Sequence, residues 1–424
     1  MDTISGAGEW RALDGTLSAW YDAPSVTAGA ALVARIAELS GATAAVDVDL
    51  RATGLRVRIL GPSLAGDGLV WAREISKAAR ELGLQADPAT LQTIRFALAS
   101  SEPALVERFW EQVLDYERVR AHGPAVHEPV AGESAAAGAA TGALEDGLRR
   151  EPGVRVERLE GTRPLRNRIH VDVGRSAAAV ERVKTAIGQE AYGAYGLTLA
   201  DHDGNEVDLV PGEELPETTD WLAQFGAMTF YPTASAAQAS QLVTAVAELA
   251  DGAGVPLMVD VRPEGVAIDS GKDLWERPDG GADPRFVELA RRIERAAQSL
   301  GLVADPARLR FVQFGIDAVN VPAVRAFWMR LLKYEQDPRP FVSDIYDPRW
   351  LNPVLIFQEL DATDEERRRQ RNRIRFELVV PDDSVQSRLE AALSAGGRIL
   401  AEQPGQVLVG DPEGNEVEVR STGG

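Results

Sequence analysis

Leu82-Gly83-Leu84-Gln85-Ala86-Asp87-Pro88-Ala89 returns as Leu300-Gly301-Leu302-Val303-Ala304-Asp305-Pro306-Ala307, an offset of 218 residues. Phe109-Trp110, Leu114 and Tyr116-Glu117 return at the same offset as Phe327-Trp328, Leu332 and Tyr334-Glu335. Further on, Arg166-Asn167-Arg168-Ile169 matches Arg371-Asn372-Arg373-Ile374 at an offset of 205, and Gly204-Asn205-Glu206-Val207 matches Gly414-Asn415-Glu416-Val417 at 210. Ordered matches with small changes of offset mark a duplication with loop insertions. The unit is about half of the 424 residues, far longer than a solenoid repeat, so each copy should hold complete domains.

Each copy divides at its Ala-Asp-Pro stretch, because proline disfavours helix in the residue before it and so stops the helical run from Leu69 to Leu82. Before that stop the pattern predicts a helix over 28–39, alternating strands over 46–51 and 55–60 around Thr53-Gly54, and the second helix, an α+β layer. After it come a strand over 91–98 and a helix carrying Val106, Phe109, Trp110 and Val113, then a short strand near Tyr116. Strands over 154–159 and 169–173 follow, with a helix over 177–187 and a hairpin turning at Asp203-Gly204-Asn205. Residues 127–150, rich in Ala, Gly and Glu, read as a mobile loop, since copy two crosses the same gap with about a dozen fewer residues. The expected domains are 1–88, 89–212, 213–306 and 307–424.

Composition narrows the chemistry. With 45% hydrophobic and 26% charged residues the chain is globular, and 65 acidic against 45 basic residues, net −20, argue against a basic nucleic-acid-binding face. Cysteine is absent, which removes disulfides, thiolate nucleophiles and thiolate metal sites together. Histidine occurs only at His122, His127, His170 and His202, so nothing after Asp203 can use imidazole. The start of the chain does not read as a signal peptide, and no apolar run approaches the roughly 20 residues of a membrane span, so the expectation is a soluble cytoplasmic protein with no membrane partner.

The second part of each copy resembles the glyoxalase and bleomycin-resistance, or vicinal oxygen chelate (VOC), superfamily. The likeness rests on Phe109-Trp110 with Leu114 and Tyr116, on Arg166-Asn167-Arg168-Ile169-His170, and on Asp201-His202-Asp203-Gly204-Asn205-Glu206-Val207; Asp411-Pro412-Glu413-Gly414-Asn415-Glu416-Val417 is the copy-two form of the last. It implies paired βαβββ modules whose curved sheets enclose a small-molecule cavity. The first part of each copy resembles pterin-4a-carbinolamine dehydratase, through Asp47-Val48-Asp49-Leu50-Arg51 and Ala72-Arg73-Glu74-Ile75, and through Val259-Asp260-Val261-Arg262 and Ala290-Arg291-Arg292-Ile293. That family carries a His-His-Pro triplet before the Asp-Val-Asp run. Here the places hold Ala44-Ala45-Val46 and Val255-Pro256-Leu257, which cannot transfer a proton, so these domains are expected to be catalytically degenerate. The fold class is therefore α+β, two tandem copies of a dehydratase-like domain followed by a VOC domain.

The VOC resemblance implies a divalent metal held on the concave face by one residue from each of four strands, usually His, Glu or Gln. Mapped by motif, those pocket positions are Arg95, Glu157, His170 and Asp208 in copy one and Gln313, Gln358, Arg375 and Glu418 in copy two. Alternation puts Arg168, His170 and Asp172 on one face, and Glu206 and Asp208 opposite Val207 and Leu209. Glu157, His170 and Asp208 could hold Mn²⁺, Fe²⁺ or Zn²⁺. Against that, Arg95 brings a fixed charge that would compete for the carboxylates and is expected to pair with Asp208 or Glu157. In copy two an Arg375–Glu418 ion pair is expected where a metal would otherwise sit. His202 reads as a solvated turn residue, and Arg367-Arg368-Arg369 as a solvated, self-paired run after Asp364-Glu365-Glu366. Trp10, Trp20, Tyr21, Trp221, Phe225, Phe230 and Tyr231 are expected to pack cores.

Three readings follow. The first is a non-catalytic binder of an unknown small molecule, without cofactor, and is the reading the missing ligands favour. The second is a metal-dependent glyoxalase-like lyase, isomerase or dioxygenase acting through copy one. The third is a four-domain scaffold. Two copies in one chain allow a monomer with an internal pseudo-dimer, or a homodimer.

Overall fold

A computed structural model of the protein describes residues 8–39, 41, 45–61, 67–119, 140–159 and 161–421. The chain forms two compact units, Met1–Leu91 with Pro211–Leu309, and Gln92–Val210 with Arg310–Gly424. Each unit thus takes one segment from each copy of the repeat. Among the described residues no helix is long and apolar enough to cross a membrane.

Among the described residues the first unit is a sheet with four α-helices. Its strands run in the order Arg11–Leu13, Thr16–Asp22, Gly54–Leu60, Val46–Arg51, Met258–Arg262, Gly265–Asp269, Ala227–Pro232 and Leu222–Ala223. The two copies join where Val48, Asp49 and Leu50 pair antiparallel with Val261, Asp260 and Val259. The first helix is Val26–Ala37, two residues ahead of the expected span, because Ser25 caps it: its Oγ accepts from the Ala28 N–H at 3.1 Å. Gly54 closes the hairpin of Val46–Arg51 and Gly54–Leu60, and a Cβ there would lie 2.4 Å from the Tyr21 carbonyl oxygen. Helices Val26–Ala37, Gly68–Glu81, Ala236–Ala253 and Pro284–Ser299 set their apolar faces against the sheet in one core, which includes Leu32, Ile75, Val246 and Ile293 with Leu50, Val57 and Val259. Trp10, Trp20, Tyr21, Trp221, Phe230 and Tyr231 are buried, and Phe225 is half-buried.

The Asp-Val-Asp-Leu-Arg run makes the seam between copies polar as well as hydrogen-bonded. Arg51 of copy one reaches Asp260 of copy two at 2.7 Å, and Arg262 reaches back to Asp49 at 2.5 Å. Asp49 also meets Arg56 at 2.7 Å. All of these groups are buried, so each charge depends on its partner.

The second unit has two sheets around a shared apolar core. In one, the order is Arg398–Gln403, Gln406–Gly410, Glu416–Ser421, Ile374–Val380, Thr93–Ser100, Val154–Arg158, Ala140–Glu145 and Glu117–Val119. In the other, Glu206–Glu214, Ile169–Ser176, Phe311–Ala318, Leu355–Glu359, Ile345–Tyr346 and Glu335–Gln336 follow one another, with Thr198–Ala200 on Glu206–Glu214. Helices Pro103–Leu114, Ala177–Ile187, Val321–Leu332 and Val385–Ser394 contribute their buried faces. At the centre Phe314 meets Phe96 and Phe376 edge-on, with ring centroids 5.1 and 4.9 Å apart.

Both sheets are cross-copy. The first half-domain of copy one pairs with the second half-domain of copy two (Phe96 opposite Phe376), and the converse pair forms the other sheet (Val171 opposite Phe314). The expected loop 127–150 is corrected in part. Ala140–Glu145 is a strand on Val154–Arg158, with Leu144 fully buried; its small residues carried too little alternation to be seen. Residues 127–139, with His122 and His127, lie outside the described residues.

Candidate functional site

Strand alternation sets what faces each concave surface. In Ile169–Ser176 the side chains of Ile169, Val171 and Val173 enter the core, which turns His170 and Asp172 to the other face. Across the ladder in Phe311–Ala318, Val312, Phe314 and Ile316 do the same, so Gly315 stands opposite His170 and Gln313 opposite Asp172. Val207 and Leu209 are core residues, leaving Asp208 beside them on the concave side.

His170, Asp172 and Asp208 each bring a ligand-type atom to one place, all within 4.8 Å of one another. His170 Nε2 is 3.4 Å from Asp172 Oδ1, and Asp172 Oδ2 accepts from Gln313 Nε2 at 2.8 Å. Asp208 is held by Thr198, whose Oγ1 donates to Oδ1 at 2.5 Å. The Gln313 amide oxygen is buried and makes no hydrogen bond among the described residues. A buried acceptor left without a donor costs about 1–3 kcal/mol, and a cation is the partner this donor set suits. Two carboxylates, one imidazole and one amide oxygen match Mn²⁺, Fe²⁺ or Zn²⁺. Gly315 makes the room: a Cβ there would lie 2.0 Å from His170 Cε1 and 2.3 Å from Nε2.

The other sheet carries the same positions with opposite chemistry. Ile374, Phe376 and Leu378 enter the core, so Arg375 and Glu377 face the concave side with Glu157, Arg155, Glu418 and Arg420. Arg375 grips Glu157 with two nitrogens at 2.5 and 2.6 Å and reaches Glu418 at 3.3 Å. Arg155 meets Glu377 at 3.1 Å, and Arg420 pairs with Glu418 and lies 3.6 Å from Glu377. Three guanidiniums thus neutralise three carboxylates that are at most 1% exposed. Burial alone would lower the Arg375 pKa, but the charges of Glu157 and Glu418 outweigh it and hold the guanidinium above its ordinary value. The Arg375 guanidinium already sits among these carboxylates, where a cation would bind.

These placements regroup the residues read from the sequence. His170 and Asp208 come together with Gln313, whereas Glu157 stands in the other sheet with Arg375 and Glu418, so Glu157, His170 and Asp208 are not one ligand set. Arg95 pairs with Glu145, not with Asp208 or Glu157. Gln358 is exposed on Leu355–Glu359, and no described interaction brings it to the cluster. His202 is exposed in its turn. The arginine run is corrected in part: Arg369 pairs with Glu365 at 2.5 Å, but Arg367 turns in to Asp317 and to the Asn167 carbonyl at 2.6 Å. Asp172 was legible by alternation and Gln313 by motif, but their meeting needed the cross-copy ladder.

The repeated motifs themselves build the frame. Asn167 Oδ1 accepts from the Arg373 N–H and Asn372 Oδ1 from the Arg168 N–H, both at 2.9 Å, a reciprocal latch between copies. Arg168 Nε donates to Asn415 Oδ1 at 3.1 Å and Arg373 Nε to Asn205 Oδ1 at 3.2 Å. Asp201 binds Trp110 Nε1 at 2.9 Å and its own turn at Asn205; Asp411 does the same with Trp328 at 3.1 Å and Asn415. Burial raises both aspartates above the usual carboxylate range, and these hydrogen bonds offset only part of it.

The Glyoxalase-like domain family matches residues 95–210 and 313–420, more than half of the chain, and the chain belongs to that family. Among solved structures, glyoxalase I from Zea mays is 10% identical over 78% of this chain and 93% of its own, with a TM-score of 0.39. A glyoxalase/bleomycin resistance protein from Albidiferax ferrireducens T118 is 12% identical over 25% of this chain and 93% of its own, with a TM-score of 0.18. No curated protein matches the chain significantly.

Proposed function

We propose that this is a glyoxalase-like protein with one metal-dependent site per chain, built by the second half-domain of copy one and the first half-domain of copy two. The observation that carries the reading is the convergence of His170, Asp172 and Asp208 beside the unsatisfied Gln313 amide oxygen. A divalent cation held by these four residues would polarise a substrate oxygen. Thr198 orients Asp208, Gln313 orients Asp172, and the strand alternation keeps the apolar core behind all of them. The sheet bearing Arg375 is the degenerate partner, in which ion pairs replace ligands; it favours the binder reading for that half alone. The first unit is read as two degenerate dehydratase-like domains. What supports this is that Val46 is a buried apolar strand residue where the triplet would end, and that Asp49 is committed to Arg56 and Arg262; Ala44 lies outside the described residues.

Metal titration of the stripped protein with Mn²⁺ and Zn²⁺, followed by calorimetry and metal analysis, tests this. One equivalent per chain is expected, lost in His170→Ala. No binding, or a full equivalent retained by His170→Ala, would return the protein to the class of metal-free small-molecule binders.

A further inference from the structure

Arg168, the helix Glu365–Arg369, the start of strand Arg398–Gln403 and the turn at Pro412-Glu413 lie apart in the sequence and line one cavity of about 430 Å³ in the second unit. Every lining residue except Pro412 is charged, with Arg168, Arg368, Arg369 and Arg398 against Glu365 and Glu413. Both carboxylates are already committed. Glu365 pairs with Arg369 at 2.5 Å. Glu413 accepts from the Asn320 and Val319 N–H groups at 2.6 and 3.0 Å, as its counterpart Asp203 accepts from the Ser101 N–H at 3.3 Å, so it serves the fold of its turn.

Arg168, Arg368 and Arg398 are left without a carboxylate partner among the described residues. Arg398 makes no hydrogen bond or ion pair there, and Arg368 only donates Nη1 to the Ala362 carbonyl at 3.0 Å. Arg168 is the most telling, because it is 2% exposed. Its Nε and Nη1 are satisfied by Asn415 Oδ1 and by the carbonyls of Arg367, Arg368 and Gln370, but Nη2 reaches only the Glu413 carbonyl at 3.5 Å, the limit of a hydrogen bond. Its counterpart in copy two, Arg373, sets Nη2 against the Gly204 carbonyl at 3.0 Å. Burial lowers the Arg168 pKa more than the charges of Asp411 and Glu413 raise it, so the fold does not balance this guanidinium from within. In a chain of net charge −20, unpaired arginines gathered in one cavity suit an anion.

We propose that this cavity binds the phosphate group of a small phosphate monoester with a polar body. Above about pH 6 such a group approaches a dianion with several strong acceptor oxygens, which suits donors converging from separate elements, and the planar arginine fork matches phosphate oxygens in pairs. A cavity of about 150 Å³ holds benzene, so this one has room for an organic body beside the phosphate, and its charged lining requires that body to be polar. The inference does not depend on a metal at His170.

Calorimetry of the full, metal-stripped chain with ribose 5-phosphate tests it, with ribose as the body without the charge and acetate as a charge without the tetrahedral group. Ribose 5-phosphate is expected to bind once per chain, and both controls about tenfold or more weakly. Arg398→Gln breaks no bond of the fold, so its melting temperature should hold while the affinity for ribose 5-phosphate falls roughly tenfold, the loss of one hydrogen bond to a charged group. Arg292→Gln removes the same charge from an exposed position on helix Pro284–Ser299 and should leave the affinity unchanged. No binding of ribose 5-phosphate, acetate or ribose bound as tightly, unchanged affinity in Arg398→Gln, or an equal loss in Arg292→Gln each overturns the proposal. The comparison of ribose 5-phosphate with its two controls uses the unaltered chain, so it decides the matter even where a variant unfolds.

Discussion

Replacing Arg375 by methionine keeps an unbranched apolar stem but removes the guanidinium, one of three cations in a buried, neutral cluster. Both oxygens of Glu157 bind Arg375, at 2.5 and 2.6 Å, and Glu157 is 1% exposed, so the substitution strands a carboxylate away from water. Arg155 and Arg420 then face Glu157, Glu377 and Glu418, three anions for two cations. Breaking a buried pair on one side costs about 3–5 kcal/mol, and for a unit of this size that corresponds to a fall of roughly 6–20 °C in melting temperature. Urea and thermal denaturation of Arg375→Met at pH 7 measure it. The double variant Arg375→Met, Glu157→Gln should be more stable than Arg375→Met alone, because it leaves no unpaired anion. A loss below about 1 kcal/mol, or a double variant whose loss is the sum of the two singles, refutes the account of this sheet as a mutually dependent ion cluster.

Two further outcomes test the rest of the molecule. Gly315→Ala puts a methyl group onto the His170 ring, so Mn²⁺ affinity by calorimetry should fall at least tenfold, with overpacking costing about 1–3 kcal/mol in stability; undiminished affinity would separate His170 from the metal site. In the first unit, burial would raise the Asp49 carboxyl, but Arg262, Arg56 and Arg58 outweigh it and hold it well below the usual range. A depressed carboxylate adds stability that is present above its unfolded pKa, about 3.9, and is lost as pH falls through the lower folded value. The stability gap between wild type and Asp49→Asn should therefore be widest near neutrality and narrow below about pH 4, read by denaturation across that range; a gap that widens in acid contradicts the assignment.

Much of the local structure was legible because it rests on local rules. Alternation in Ile169–Val173 put His170 and Asp172 on one face without reference to anything else, since successive side chains of a strand must point to opposite sides. The repeat, the helix carrying Phe109 and Trp110, and the turn at Gly204-Asn205 were read in the same way. Ala140–Glu145 was missed because alanine and glycine leave no apolar and polar contrast to read.

The grouping of site residues was decided elsewhere. The repeat made it natural to assemble Arg95, Glu157, His170 and Asp208 as one pocket, because they share a copy. In the folded chain the ladder joining Ile374–Val380 to Thr93–Ser100 and the one joining Ile169–Ser176 to Phe311–Ala318 exchange the half-domains. One exchange delivers Arg375 to Glu157 and closes a site with charge; the other delivers Gln313 to His170, Asp172 and Asp208 and leaves an acceptor waiting. Sequence order determined which residues face a concave surface, because that depends on neighbours two residues apart. It could not determine which strands share the surface, because duplicated half-domains with the same strand pattern pair equally well by local rules. Only the tertiary packing of both copies around Phe96, Phe314 and Phe376 chose between them.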